Sequence, residues 1–142
     1  MSRFFQQIEF ERSATAEKLG IRNTMDKHQS KHWETFACKV LDPIRAELGS
    51  PIIINSGFRS AELNKAVGGV KDSWHLGIDD KVAVDMVPQN QSIYTLYEVI
   101  RKLHRNNKIV FDKCLLENNT WIHLQYRVYG INKGIMIENY HS

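Results

Sequence analysis

The residue that most constrains this chain is Asp85. It interrupts the run Val82-Ala83-Val84-Asp85-Met86-Val87, whose β-branched and apolar composition predicts a buried strand. A carboxylate there needs a cation or several hydrogen-bond donors, because desolvating it alone is costly. The fold must therefore bring polar residues from elsewhere in the chain to one side of this strand. Two readings meet that need: a hydrogen-bonded core aspartate, or a ligand to a metal ion shared with imidazoles.

The surrounding pattern predicts an α+β domain spanning residues 1–142, with a mostly antiparallel sheet packed against helices. Ser13 and Gly20 bracket a short helix as N-cap and terminator. Ser30 to Leu48 carries Trp33, Phe36, Ala37, Val40, Leu41, Ile44 and Leu48, mostly three and four apart, which predicts a helix with one core-facing stripe. Pro43 inside it predicts a kink or break. Pro51 to Asn55 reads as a strand, Ala61 to Val67 as a helix capped by Ser60, and residues 70–81 as a polar loop. Ser92 caps a further helix with Ile93, Leu96, Tyr97, Ile100 and Leu103 on one face. Val110 to Glu117 and Thr120 to Tyr126 flank Asn118-Asn119, the pattern of a β-hairpin. A last strand is expected around Ile135 to Ile137.

At 42% hydrophobic and 25% charged residues the chain is too apolar to be disordered. The net charge of +3 is mild, and the basic residues are dispersed, which argues against a nucleic-acid partner. No apolar run reaches membrane-spanning length, and the first 25 residues hold no signal-peptide core. The expectation is synthesis in the cytoplasm without a signal peptide, and no membrane insertion. Cys38 and Cys114 stand far apart among apolar neighbours and read as reduced, buried thiols.

Of six histidines, His28 and His32 are four apart but lack the Glu that a zincin helix places after the first His. They read as a solvated helix start. His104 and His141 read as surface residues. His75 lies in Ser73-Trp74-His75, before the Asp85 strand, and His123 lies in Trp121-Ile122-His123 on the hairpin.

Five motifs then occur in order: Ser56-Gly57-Phe58-Arg59-Ser60, Leu63-Asn64-x-Ala66-Val67-Gly68-Gly69, Ser73-x-His75, Ala83-x-Asp85 and Trp121-x-His123. Phe10-x-Arg12-Ser13-x-Thr15-Ala16, Gly20-Ile21-x-Asn23 and Val40-Leu41-Asp42-Pro43-Ile44-Arg45 precede them. Together they resemble the zinc D-Ala-D-Ala carboxypeptidase family, in its small single-domain branch of phage and bacterial cell-wall peptidases. The likeness spans roughly residues 5–126 and implies a fold similar to that of the hedgehog signalling domain.

The resemblance implies that His75, Asp85 and His123 hold one Zn2+. It implies that Arg59 holds substrate or polarises the scissile carbonyl, and that Ser73 contacts the peptide. Glu117 is the only acid in the interval where relatives place a general base. A two-residue turn at Asn118-Asn119 would put Glu117 on the face opposite His123, and a three-residue turn including Thr120 would bring it to the same face. His75 and Asp85 stand ten positions apart, about three more than the family pattern, a cheap insertion for a surface loop. Asp79 and Asp80 in that loop are competing ligand candidates.

The implied activity is zinc-dependent hydrolysis of a peptide bond in peptidoglycan stem peptides, of carboxypeptidase or endopeptidase type. The implied setting is the cell wall, with a monomeric phage lytic or virion protein as one form. The alternative is a wall-binding or structural module of the same fold without turnover.

Overall fold

Most helices begin and end where local chemistry dictates. The structure, a computed structural model describing residues 1–142, opens with α1 (Gln7–Glu11) and α2 (Ala14–Leu19). Ser13 Oγ accepts the Ala16 N–H at 3.1 Å, and Gly20 closes α2 at φ 67°, a left-handed conformation that glycine adopts without strain. In the same way Ser60 caps α5 (Ala61–Ala66), and Ser92 caps α6 (Ile93–Arg105).

The long helical stretch starts earlier than its apolar stripe suggests. Asp26 and Gln29 form a reciprocal capping box, with Asp26 Oδ1 accepting the Gln29 N–H at 2.8 Å. From there α3 (Lys27–Phe36), a π-helical turn (Ala37–Leu41) and α4 (Asp42–Leu48) run without interruption. The disturbance expected at Pro43 is taken up by the widened turn before it, where the Asp42 N–H bonds the Ala37 carbonyl five residues back. Proline cannot donate and crowds the preceding turn, and a π-bulge relieves both constraints.

The five strands are β1 (Ile52–Ser56), β2 (Lys81–Pro88), β3 (Lys113–Glu117), β4 (Trp121–Arg127) and β5 (Ile135–Tyr140), ordered β1-β2-β4-β3-β5. All pairings are antiparallel except that of β5 with β3. The expected hairpin is β3–β4. Its first strand begins at Lys113 rather than Val110, and the two residues before it, Phe111 and Asp112, are buried.

Register divides the sheet into two faces. Val82, Val84 and Met86 of β2, Cys114 and Leu116 of β3, and Ile122, Leu124 and Tyr126 of β4 are buried in one core with Trp33, Phe36, Val40, Ile44, Leu96 and Ile100 of the helices. Phe36 stacks on Tyr126 with ring centroids 5.3 Å apart. The alternate residues, including Asp85, Leu115, Glu117, His123 and Gln125, share the other face, since Asp85 and Leu115 both pair with His123.

Both cysteines are free thiols; Cys114 is buried, while Cys38 is only half-buried. Burial pushes the Cys114 thiol pKa up. His104 departs from the surface expectation. It packs against Phe111 at 4.6 Å and fills the space over Gly134, where an added Cβ would lie 2.6 Å from its Nε2. His28 and His141 are exposed, and His32 meets the edge of Tyr129.

Candidate metal centre

Strands β2, β3 and β4, with the segments that follow β1 and precede β2, build the polar face. The segment after β1 is stitched to the N-terminal helices. The Phe58 N–H donates to the Phe10 carbonyl at 2.7 Å, and Asn23 Nδ2 bridges the Glu11 and Phe58 carbonyls at 2.7 and 2.9 Å. Asn23 Oδ1 accepts the Ser60 N–H at 2.7 Å. The Arg59 N–H then donates to the His75 carbonyl at 2.8 Å, which ties this segment to the 3₁₀ turn Trp74–Leu76. Ser73 caps that turn through an acceptance from the His75 N–H at 3.2 Å, and its hydroxyl proton stays free to donate.

His75, Asp85 and His123 meet on this face, with one ligand-capable atom of each lying within 4.8 Å of the others. Asp85 Oδ1 lies 2.8 Å from His123 Nδ1, and Oδ2 lies 3.4 Å from His75 Nε2. The outer ring nitrogens face oxygens that only accept: His75 Nδ1 donates to the Gly57 carbonyl at 2.7 Å, and His123 Nε2 donates to Gln125 Oε1 at 2.9 Å. With protons fixed on the outer nitrogens, both inner nitrogens present lone pairs toward a carboxylate. Three acceptors converging without a donor require a proton or a cation between them, and two imidazoles with one carboxylate form a donor set suited to zinc.

The electrostatics follow from the same contacts. Burial alone would raise the Asp85 pKa, but with no metal in place a proton taken up on the inner nitrogen of His123 or His75 is donated to it, and this outweighs burial and holds the carboxylate well below its ordinary range. His123 is also opposed by burial, yet Asp85 raises its pKa. Burial dominates at His75 and lowers its pKa.

Arg59 reaches the cluster with a terminal nitrogen 3.8 Å from Asp85 Oδ2. Its Nε donates to Ser56 Oγ at 3.2 Å, and its Nη1 donates to Asn64 Oδ1 at 3.2 Å. Burial lowers its pKa, against the charges of Asp85 and Glu117, and guanidinium stays cationic throughout the working range. Asn64, 5% exposed, is held by donating to the Val70 carbonyl at 2.8 Å. Gly69 must be glycine here, because an added Cβ would lie 2.0 Å from Asn64 Oδ1.

Glu117 stands on the His123 face. The hairpin uses the three-residue turn: Glu117 pairs with Trp121, the Thr120 N–H donates to the Glu117 carbonyl at 2.9 Å, and Asn118 and Asn119 take φ of 52° and 55°. Burial raises the Glu117 pKa, while His123 and Arg59 pull the other way. Trp121 shares this face, with its indole N–H buried and without a hydrogen-bond partner.

The long loop between His75 and Asp85 is absorbed before β2. Asp80 turns away from the cluster and accepts the Tyr129 and Gly130 N–H groups at 3.0 and 2.7 Å, with Arg127 3.6 Å distant. Asp79 is exposed in a left-handed turn at φ 57°. Neither joins the two histidines. The motifs contain Ser56, Gly57 and Asn64 without revealing what they do, and Gln125 lies outside them; the four act through a hydroxyl, a backbone carbonyl and two side-chain amides, contacts that leave no chemical signature in sequence.

An α+β domain that gathers two imidazoles, a carboxylate and a guanidinium on the open face of its sheet has the makings of a metallohydrolase. The chain belongs to the Peptidase M15 family, whose family model matches residues 4–125. That family is the zinc D-Ala-D-Ala carboxypeptidase family of metallopeptidases. No curated protein sequence matches the chain.

Proposed function

We propose that this protein is a zinc peptidase that hydrolyses a peptide bond in peptidoglycan stem peptides, next to a D-amino acid. The observation that carries the reading is the convergence of His75 Nε2, Asp85 and His123 Nδ1, with both outer nitrogens tied to acceptors. Zinc held by His75, Asp85 and His123 would supply a Lewis acid and would lower the pKa of a water to roughly 7. Glu117, on the same face and with its pKa raised, takes the proton from the attacking water and returns it to the departing amine. Arg59, braced by Ser56 and Asn64, holds the carbonyl or terminal carboxylate of the peptide through its fixed fork. Ser73 offers its free hydroxyl proton to the peptide backbone.

The family supports the enzyme class, and the site chemistry supports zinc. The wall substrate, a monomeric state and a role in a phage lytic or virion protein extend the reading. The rival, an inert wall-binding module, draws on the long loop and on the ambiguous side of Glu117, which the three-residue turn brings to the His123 face. Asp80 anchors that loop away from the cluster, which favours the enzyme.

Metal analysis of the purified protein tests the proposal, with one zinc per chain expected and its loss in His75→Ala and His123→Ala. Glu117→Gln should keep the zinc yet release no peptide from purified peptidoglycan. A wild-type protein that takes up zinc but leaves both peptidoglycan and D-Ala-terminated peptides intact would return the chain to the module reading.

A further inference from the structure

A line of side chains behind His123 ends in a buried acid that the peptidase reading does not use. Asp112 is 3% exposed. Its Oδ1 accepts the Lys133 N–H at 3.2 Å, and its Oδ2 faces Gln125 Nε2 at 3.5 Å. Gln125 in turn presents Oε1 to His123 Nε2 at 2.9 Å. The backbone locks the same pair together, since the Asp112 N–H donates to the Gln125 carbonyl at 2.7 Å. A carboxylate only accepts, so the group that Gln125 turns toward Asp112 must be its NH₂. Its carbonyl oxygen is thereby aimed at His123, and that oxygen also only accepts. His123 must then carry its ring proton on Nε2, which leaves Nδ1 bare toward Asp85.

We infer that Gln125 is a positioning residue for the metal centre: oriented by Asp112, it selects the His123 tautomer that offers Nδ1 to zinc. The inference rests on the metal reading given above. Asp112 sets which way the amide points, the amide sets which nitrogen holds the proton, and the proton sets which nitrogen can ligate. Outer partners of ligating histidines commonly contribute 10–100-fold in metal affinity. His75 needs no such side chain, because the Gly57 carbonyl performs the task at 2.7 Å. The Gln125 amide could point either way by itself, which is why its orientation needs a second residue.

Zinc affinity, read by chelator competition on the full chain, tests this without reference to catalysis. Gln125→Leu should weaken zinc by about 10–100-fold, while Gln125→Glu made together with Asp112→Asn, which keeps an acceptor toward His123 and a donor behind it, should stay within about threefold. Asp112→Asn, nearly isosteric and free to face either end of the amide, should fall between them. It also serves if Gln125→Leu does not fold. In ¹⁵N-labelled, zinc-loaded protein the His123 Nε2–H should be protected from exchange in the wild type and lose that protection in Gln125→Leu. Zinc affinity unchanged in Gln125→Leu, or reduced equally in the Gln125→Glu, Asp112→Asn pair, overturns the inference while leaving the zinc site standing. A wild-type chain that binds no zinc removes the metal reading itself.

Discussion

The two faces of the sheet are made from alternate residues of the same strands, yet they obey different physics. On the helix side, Val84, Met86, Ile122 and Leu124 are wholly buried, and any well-packed apolar side chain would serve there almost as well. On the open side, Asp85, His123 and Gln125 occupy the intervening positions, and each is worth keeping only for a particular atom. Stability is stored on one face, and chemistry is exposed on the other at a cost in desolvation that apolar packing must offset. A one-residue slip in the β2–β4 register would exchange the two sets, so the apolar alternation that holds the fold also aims Asp85 and His123.

The largest effect should come from the helix side. Phe36→Ala removes a buried ring stacked on Tyr126 and should cost about 3–5 kcal/mol in urea unfolding. The zinc affinity of the molecules still folded should hardly change. An equal loss of zinc affinity would show that the faces are coupled.

Asp85→Asn is the converse. It should abolish zinc uptake, yet cost the metal-free protein only about 1–3 kcal/mol, since it removes charge-assisted hydrogen bonds and not bulk. Unfolding with and without chelator separates the two terms.

Asp80, at the rim of the open face, should give a smaller and pH-dependent effect. Burial opposes its ionisation, but the Tyr129 and Gly130 N–H groups hold its folded pKa below the ordinary aspartate value. Its stabilisation is therefore present above about pH 4 and lost as pH falls through the lower folded value. Asp80→Asn should be less stable than wild type by about 1–2 kcal/mol at pH 7, and the gap should close in acid.

The smallest change in stability is expected at Glu117. Burial raises its pKa, so the fold favours the protonated form, and its contribution is lost as pH rises through that value. Glu117→Gln, permanently neutral, should raise Tm by about 1–2 °C above neutral pH after allowance for solvent screening.

Much of this was legible from residue order. Asp85 announced itself as a charge in an apolar strand, and Ser13, Ser60 and Ser92 marked helix starts by their hydroxyls. The side taken by Glu117 was not legible. Thr120 can belong to either the turn or the strand, and the choice rests on one Thr120 N–H to Glu117 bond. Gln125 passed unnoticed because a polar residue alternating with Leu124 and Tyr126 looks like any solvated strand position. The parallel β5 edge and the packing of His104 under Gly134 depend on contacts far apart in the chain, which local patterning does not encode. Pro43 signalled a disturbance correctly, but not that the backbone would widen one turn earlier.

Gly57 illustrates how far a requirement can sit from the atoms it serves. Its carbonyl orients His75, and an added Cβ would lie 2.7 Å from the Phe10 carbonyl oxygen and 2.8 Å from the Phe10 Cα. Because those are main-chain atoms, even alanine must push two segments apart and drag the carbonyl off the ring it steadies. A saturation-mutagenesis survey scored on metal retention would thus flag this site as intolerant, although it contributes no side chain at all.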